Sequence, residues 1–86
     1  ILLDVRDPHE IDICHINSSI KIPLSKIKKD YQQLDPSKEI IVHCKMGGRS
    51  AKAVKILKEK GFKKVKNLAG GIMAWAEKID TKMSRY

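Results

Sequence analysis

The sequence predicts an α/β fold, with a small central, mostly parallel sheet covered by helices on both faces in three layers. Short apolar runs alternate with segments of helical spacing along the chain. The run 39–43, Glu-Ile-Ile-Val-His, is continuously β-branched at its centre, as in a strand covered on both faces. Strands that alternate with helices in this way normally lie parallel in one sheet.

The first elements are a strand, a short helix and a second strand. Residues 1–5 form an apolar run that ends in charge, which predicts the first strand. A short helix is expected over 9–14, with Asp7 as its cap and Pro8 in its first turn. Residues 20–22 alternate in polarity and stop at a proline, which predicts the second strand.

The middle of the chain contains two predicted helices around the strongest predicted strand. Apolar residues at helical spacing predict a helix over 25–34, and the turn 35–37 ends it. The strand 39–43 follows, and a helix is expected over 49–60 with Gly61 as its C-terminal cap. The apolar face of this helix is predicted to contain Ala51, Val54 and Leu57.

The C-terminal part predicts a strand, a glycine turn, a helix and a tail. The strand covers 65–68, the turn is Gly70-Gly71, and the tail is 81–86. The apolar face of the last helix is predicted to contain Ile72, Trp75, Ala76 and Ile79. Trp75 is expected to pack this helix on the sheet.

Length and charge limit the classes of function. The chain has 86 residues, enough for one small domain, and a formal net charge of +8 that favours anionic partners. The simpler interpretation of that charge is a solvated lysine surface. Nucleic acid is not expected, because the aromatic residues are only four and scattered. No apolar run approaches the ~20 residues that span a membrane, so no membrane association is expected.

Two cysteines, Cys14 and Cys44, occur without a CxxC pair or a His/Cys cluster at zinc spacing. We therefore expect no metal site and a reducing compartment, either the cytoplasm or an organelle stroma. Because the chain begins with Ile1 rather than Met, we expect a single domain over 1–86 cut from the C-terminal part of a longer protein.

Cys44 is the main candidate for chemistry. It follows the strongest predicted strand and opens the loop Cys44-Lys45-Met46-Gly47-Gly48-Arg49-Ser50, after which a helix begins. Backbone N–H groups in such a loop can converge on one atom, and the helix N-terminus adds partial positive charge. Both effects favour the thiolate and lower the pKa of the cysteine, and Lys45 and Arg49 add to the field. Gly47 and Gly48 permit the positive φ angles or close approach of a tight loop.

The loop resembles the active-site loop of the rhodanese family, which has a cysteine, a glycine three residues on and an arginine five residues on. Two flanking segments agree. Asp4-Val5-Arg6 with Glu10, Cys14-His15-Ile16 and Ile22-Pro23-Leu24 resemble the first family signature. The segment 67–72, Asn-Leu-Ala-Gly-Gly-Ile, and Trp75 resemble the second. The resemblance implies a small rhodanese-like fold, and it also implies a segment before the first strand that this sequence lacks.

The resemblance also implies the chemistry. Four residues separate Cys44 from Arg49, the spacing of the sulfur-handling branch, whereas related phosphatases and arsenate reductases have five. The implied reaction is double displacement without a cofactor: the Cys44 thiolate takes sulfane sulfur from a donor as a persulfide and passes it to an acceptor. The donor is expected to be a small sulfane-sulfur compound or a cysteine desulfurase.

Five charged or polar residues in or beside the loop have predicted roles. Arg49 could orient an anionic donor or simply face solvent, and Lys45 could assist an anionic donor or dock an acidic partner. Asp4 could brace the loop and Arg6 could contact substrate, or the two could form an ordinary surface ion pair. His43 is expected to be structural rather than a base for Cys44, because adjacent strand residues point to opposite faces.

His15 is expected to tie a turn. Cys14 stands where the family usually has glycine; it could act as a resolving thiol or be buried as a small apolar residue. The closest resemblance is to the rhodanese domain of adenylyltransferase/sulfurtransferase fusion proteins. It implies fusion to an adenylyltransferase domain and a ubiquitin-like sulfur-carrier protein as acceptor, in molybdopterin, thiamine or tRNA thiolation. A free-standing thiosulfate:cyanide-type rhodanese, a non-catalytic regulatory module and a phosphatase are the alternatives.

Overall fold

The sheet has four parallel strands, as the sequence predicts. The computed structural model describes residues 1–83, and it orders the strands β2-β1-β3-β4. They are β1 (Leu2–Asp4), β2 (Ile20–Lys21), β3 (Ile40–His43) and β4 (Val65–Asn67). All neighbouring strands pair in parallel, with Leu3 opposite Val42 and Val42 opposite Asn67. The carboxyl ends of β1, β3 and β4 therefore share one edge of the sheet. The tail predicted for 81–86 lies partly outside the described residues.

Within residues 1–83, three α-helices connect the strands and a fourth follows β4. They are α1 (Pro8–Ile13), α2 (Ile27–Asp30), α3 (Gly48–Glu59) and α4 (Gly71–Lys78). The helix predicted over 25–34 is not continuous, because 3₁₀ turns at Leu24–Lys26 and Tyr31–Gln33 flank the single α-turn of α2. The apolar pairs Leu24/Ile27 and Tyr31/Leu34 are three residues apart, and a 3₁₀ turn places such pairs on the same side.

The helix boundaries follow their predicted signals. Pro8 is the first residue of α1, and the backbone N–H of Asp7 donates to Oε1 of Glu10 at 3.3 Å. Gly61 follows α3 with φ +94°, a conformation that favours glycine, and its N–H donates to the carbonyl of Lys58 at 3.2 Å. Within residues 1–83, no helix is long and apolar enough to cross a membrane.

The core is divided between the two faces of the sheet. The larger cluster contains apolar residues of β1 and β3 packed against α2 and α3, including Leu3, Val42, Ile27 and Leu57. The smaller cluster contains Cys14, Ile16 and Ile72, with Leu2 and Trp75 packed against it. Leu2 and Leu3 are adjacent in β1 and belong to different clusters, as strand alternation requires. The predicted cover of helices on both faces is confirmed.

Two predicted helix faces need correction. On α3 the buried residues are Ser50, Ala53 and Leu57, while Ala51 is exposed. The packed stripe thus starts at the residue that closes the cysteine loop, one position before the predicted one. Ile79 is 67% exposed, because α4 ends at Lys78 and the chain leaves the helix before Ile79 can pack.

Candidate active site

Cys44 is the first residue after β3, at the carboxyl edge of the sheet. Its side chain is 1% exposed and packs in the larger core cluster beside Val42. Parallel α/β sheets form their sites at this edge, where strand ends meet helix N-termini. The loop that follows Cys44 turns directly into α3, which begins at Gly48.

Backbone N–H donors and the hydroxyl of Ser50 surround the sulfur of Cys44. The N–H of Gly47 lies 3.1 Å from Sγ, the N–H of Ser50 lies 3.4 Å from it, and the Ser50 hydroxyl also lies 3.4 Å from it. Burial raises the pKa of the Cys44 thiol, but hydrogen bonds from Ser50, Gly47 and Met46 outweigh burial, so the pKa falls below its usual value. The predicted lowering is confirmed in direction.

Only one of the two loop glycines has the backbone conformation predicted for both. Gly47 has φ +120°, which L side chains rarely adopt, and this turn directs its N–H at the sulfur. Gly48 has no such φ, and a Cβ added to it would meet nothing within 4 Å. The tight turn of the loop therefore depends on Gly47.

The first two carbonyl groups of the loop, those of Cys44 and Lys45, accept hydrogen bonds from the N-terminus of α4. The N–H of Ile72 donates to the Cys44 carbonyl at 2.9 Å, and the N–H of Met73 donates to the Lys45 carbonyl at 3.2 Å. Gly71 lies so close that an added Cβ would be 2.5 Å from the Lys45 oxygen. The backbone N–H groups at the start of one helix thus satisfy the loop carbonyls, while loop N–H groups face the thiol.

Ser50 and Asn67 form a polar contact beside the thiol that sequence reasoning missed. The Ser50 hydroxyl lies 2.5 Å from Oδ1 of Asn67 and 3.1 Å from the Gly47 carbonyl. Nδ2 of Asn67 donates to the same Gly47 carbonyl at 3.2 Å. Asn67 is the last residue of β4, whose carboxyl end adjoins that of β3, so parallel topology is the signal that could have placed it here.

Arg49, in the first turn of α3, forms an ion pair with Glu10 of α1. Its Nη1 and Nη2 atoms donate to Oε1 and Oε2 of Glu10 at 2.5 and 2.8 Å. The Glu10 side chain is 9% exposed and the Arg49 side chain 33%. From the sequence, Glu10 is part of the first family signature and has no predicted role. This pair ties α1 to the N-terminus of α3. Because the Arg49 side chain is partly exposed, it can still reach an anionic donor, and that role stays a prediction.

Asp4 and Arg6 form a buried pair, so the surface ion pair considered as an alternative is wrong. Both side chains are fully buried, and Nη2 of Arg6 lies 2.6 Å from Oδ2 of Asp4. The guanidinium also donates to the carbonyls of Glu10 at 3.3 Å and Cys14 at 2.8 Å. These bonds hold α1 against the end of β1. Burial on this scale leaves Arg6 no surface for the predicted substrate contact.

His43 lies on the face of the sheet opposite Cys44. It is fully buried in register with Asp4, while Cys44 packs in the larger cluster with Val42. Burial lowers the pKa of His43. The positive charge of Arg6 lowers this pKa further, whereas the negative charge of Asp4 raises it. Its two ring nitrogens have no hydrogen-bond partner within the described part of the chain. His43 is therefore structural, as predicted, and is not a base for Cys44.

Five other predicted residues lie as follows. Cys14 is 8% exposed and unbridged, with Nη1 of Arg6 at 3.9 Å from its sulfur. Nδ1 of His15 lies 3.3 Å from the Ile11 carbonyl, so it does tie the end of α1. Trp75 is half-buried on the smaller cluster. In the loop, Lys45 is half-buried and Met46 is 73% exposed.

The arrangement of fold and loop defines a small parallel α/β domain with a buried cysteine of lowered pKa at a strand end. The model of the rhodanese-like domain family matches residues 1–78. The chain belongs to the rhodanese-like domain family. The resemblance noted from the loop and its two flanking signatures is thereby confirmed.

Relatives and solved structures agree with this assignment. The chain is 40% identical over 87 residues to "Probable adenylyltransferase/sulfurtransferase MoeZ" of Mycobacterium tuberculosis, covering 99% of this chain and 22% of that protein. It is 38% identical over 93 residues to adenylyltransferase and sulfurtransferase MOCS3-2 of Zea mays, covering 100% of this chain and 19% of that protein. The chain thus spans about a fifth of these relatives' length. A rhodanese-related protein from Thermoplasma volcanium superposes with TM-score 0.85 at 37% identity, covering 91% of this chain and 77% of that chain.

Proposed function

We propose that this domain is a sulfurtransferase that carries sulfane sulfur on Cys44 as a persulfide. The observation that carries the proposal is the set of groups around one sulfur: the N–H groups of Gly47 and Ser50, and the Ser50 hydroxyl, which can donate to an anionic sulfur, all within 3.4 Å. Donors fixed in this way stabilise an anionic sulfur both before and after it accepts a second one. Membership of the rhodanese-like family supports the same chemistry.

The first half-reaction loads the cysteine. The Cys44 thiolate attacks the outer sulfur of a donor such as thiosulfate, a new S–S bond forms, and sulfite leaves with the electron pair of the bond that breaks. The product is the Cys44 persulfide anion, so charge and atoms balance without a cofactor. The exposed loop tip around Met46 and Gly48 is the side from which a donor approaches.

The second half-reaction unloads it. A nucleophilic acceptor attacks the terminal sulfur, takes it, and returns Cys44 as a thiolate, as cyanide does in forming thiocyanate. Where the acceptor is instead an acyl-adenylate, the persulfide displaces AMP and forms an acyl disulfide. A thiol reductant then releases the thiocarboxylate and becomes a disulfide with Cys44.

The direct test is detection of the persulfide on the intact protein. After incubation with thiosulfate, mass spectrometry is expected to find 32 Da (about one sulfur atom) added to Cys44. The Cys44→Ser variant is expected to lack both the adduct and transfer to cyanide, while the Cys14→Ala control keeps both. Retained transfer in Cys44→Ser would show that Cys44 is not the carrier.

A protein partner is the finer part of the proposal. We propose that the domain belongs to a longer protein with an adenylyltransferase domain and passes sulfur to the adenylated C-terminus of a small, ubiquitin-like sulfur carrier. The adenylyltransferase/sulfurtransferase names of the relatives support this. The net charge of +8 supports an acidic partner, and Lys52 and Lys55 are exposed on the helix that begins at the cysteine loop.

Salt titration tests the partner. Binding of an acidic ubiquitin-like carrier, followed by calorimetry, is expected to weaken steeply between low and physiological salt, because exposed charges are screened. The Lys52→Glu variant is expected to weaken it further, and Lys38→Glu, on the loop before β3, serves as the charge-matched control. An affinity that does not change with salt concentration argues against electrostatic docking.

The remaining alternatives are outcomes of the same assays. Efficient turnover with thiosulfate and cyanide, but no response to any carrier, identifies a free-standing rhodanese. Hydrolysis of phosphate esters identifies a phosphatase, and failure to form a persulfide identifies a regulatory module. For localisation we propose a reducing compartment, the cytoplasm or an organelle stroma, since the reaction needs the free thiol that Cys44 has here.

A further inference from the structure

The amide of Asn67 has a fixed direction beside the active thiol. Its Nδ2 donates to the Gly47 carbonyl at 3.2 Å, which leaves Oδ1 facing the Ser50 hydroxyl at 2.5 Å. Turning the amide over would bring Oδ1 against the Gly47 carbonyl oxygen, so that two acceptors would meet. The hydrogen-bond network therefore assigns Oδ1 to the Ser50 side.

The Ser50 hydroxyl has one proton and three acceptors within reach. They are Oδ1 of Asn67 at 2.5 Å, the Gly47 carbonyl at 3.1 Å and Sγ of Cys44 at 3.4 Å. The shortest contact is to a good oxygen acceptor, whereas a neutral thiol sulfur is a weak one. While Cys44 is a thiol, the proton therefore points to Asn67, and the oxygen lone pairs face the sulfur and accept its S–H.

An anionic sulfur reverses this preference. A thiolate or persulfide accepts hydrogen bonds strongly, and bonds to an ionised group are about twice as strong as neutral ones. The single Ser50 proton can then stabilise the sulfur only by leaving Oδ1 of Asn67. Asn67 and the sulfur anion thus compete for the same proton.

We propose that Asn67 is a positioning residue that controls the Ser50 hydroxyl proton, holding it away from Cys44 in the resting thiol and releasing it when the sulfur becomes anionic. What this control by Asn67 means for sulfur transfer rests on the proposed sulfurtransferase function. Asn67 raises the cost of the free thiolate while the N–H groups of Gly47 and Ser50 lower it. Asn67 thereby prevents the pKa of Cys44 from falling too far, because a thiolate of very low pKa is a weaker nucleophile.

Other charged groups near the loop are the same in every variant proposed below. They are Lys45 in the loop and Arg49 on α3, which is paired with Glu10 of α1. His43 lies on the opposite face of the sheet in register with Asp4, which pairs with Arg6, and the first turn of α4 contains no acidic residue. On β4, Lys66 precedes Asn67 and is exposed. A changed pH profile can therefore be traced to the Asn67–Ser50 contact.

The test measures alkylation of Cys44 by iodoacetamide against pH, resolved from Cys14 by peptide mass spectrometry. Asn67→Ala is expected to move the midpoint to lower pH and to speed alkylation about threefold below the midpoint, because the Ser50 proton is freed for the thiolate. Asn67→Asp, which keeps an acceptor for that proton and adds negative charge, is expected to move it to higher pH. General damage to the loop would move both variants in one direction and would overturn the proposal.

A double-mutant cycle with Ser50→Ala separates the hydroxyl from the other bonds of Asn67. Ser50→Ala alone is expected to raise the midpoint, and Asn67→Ala in that background is expected to leave it there. The same acid shift in both backgrounds, or none in either, contradicts the proposal. Asn17→Ala removes an exposed amide between α1 and β2 and is the control. Alkylation needs no sulfur transfer, so failure of persulfide formation would leave this result standing.

Discussion

Glu10 and Arg49 are 39 residues apart in sequence, and the two oxygens of one carboxylate accept hydrogen bonds from the two terminal nitrogens of the other side chain. The bond joins the first helix of the domain to the first turn of the helix after Cys44. It is bidentate, the geometry that gives arginine–carboxylate pairs both strength and direction. Because Arg49 immediately precedes Ser50, the pair supports the cysteine loop.

A double-mutant cycle on this pair is expected to give a coupling energy of about 1 kcal/mol, since Glu10 is nearly buried but Arg49 is a third exposed. Urea unfolding of Glu10→Gln, Arg49→Met and the double variant measures it. Glu10→Gln also leaves the guanidinium less neutralised, so the KM for thiosulfate is expected to fall while Arg49→Met raises it. A KM that neither variant changes would remove Arg49 from donor binding.

The two glycines Gly71 and Gly48 are expected to respond oppositely to alanine. At Gly71 a Cβ meets the Lys45 and Cys44 oxygens at 2.5 and 2.6 Å, on a backbone with φ +62°. We expect Gly71→Ala to destabilise the fold by about 2–4 kcal/mol and to slow alkylation of Cys44. Gly48→Ala places its Cβ in open space in the first turn of α3, and is expected to stabilise by about 0.5 kcal/mol. Equal effects in thermal unfolding would contradict this account.

The sequence predicted the parts of this domain that depend on local pattern. The strands, the cap at Gly61, the position of Cys44 and the direction of its pKa follow from neighbouring residues. The contacts of Asn67 and Glu10 do not, because each depends on which strands and helices become neighbours in space. The predicted burial of Ile79 and Ala51 was wrong for a related reason. Helical spacing defines an apolar stripe, but the packing at the helix end decides which residues of that stripe are buried.

The buried pair of Asp4 and Arg6 is expected to be essential for stability. The Asp4 carboxylate accepts from Nε, Nη2 and the backbone N–H of Arg6, and both side chains are fully buried. Asp4→Asn leaves a guanidinium without its counter-charge in the interior, which costs about 3–5 kcal/mol. Urea unfolding measures the loss, with the exposed Asp12→Asn as control. A loss below about 1 kcal/mol would mean that water reaches Arg6.

His43 is expected to make the domain less stable as pH falls. It is fully buried in register with Asp4. Burial lowers its pKa from the ordinary 6.5, and the charge of Arg6 adds to this while that of Asp4 opposes it. In the window below 6.5 the unfolded chain binds a proton on this imidazole that the folded chain does not. The free energy of unfolding therefore rises with pH through this window, with a slope of up to about 1.4 kcal/mol per pH unit, and levels off above it.

Chemical unfolding between pH 5 and 7.5 checks this dependence, and comparison with variants assigns it. In His43→Gln the side chain cannot titrate, so the slope is expected to flatten whatever the change in overall stability. His9→Gln removes an exposed imidazole from α1 and is expected to keep the wild-type slope. If His43→Gln keeps the full slope while His9→Gln loses it, the buried histidine is not the group that limits stability in acid.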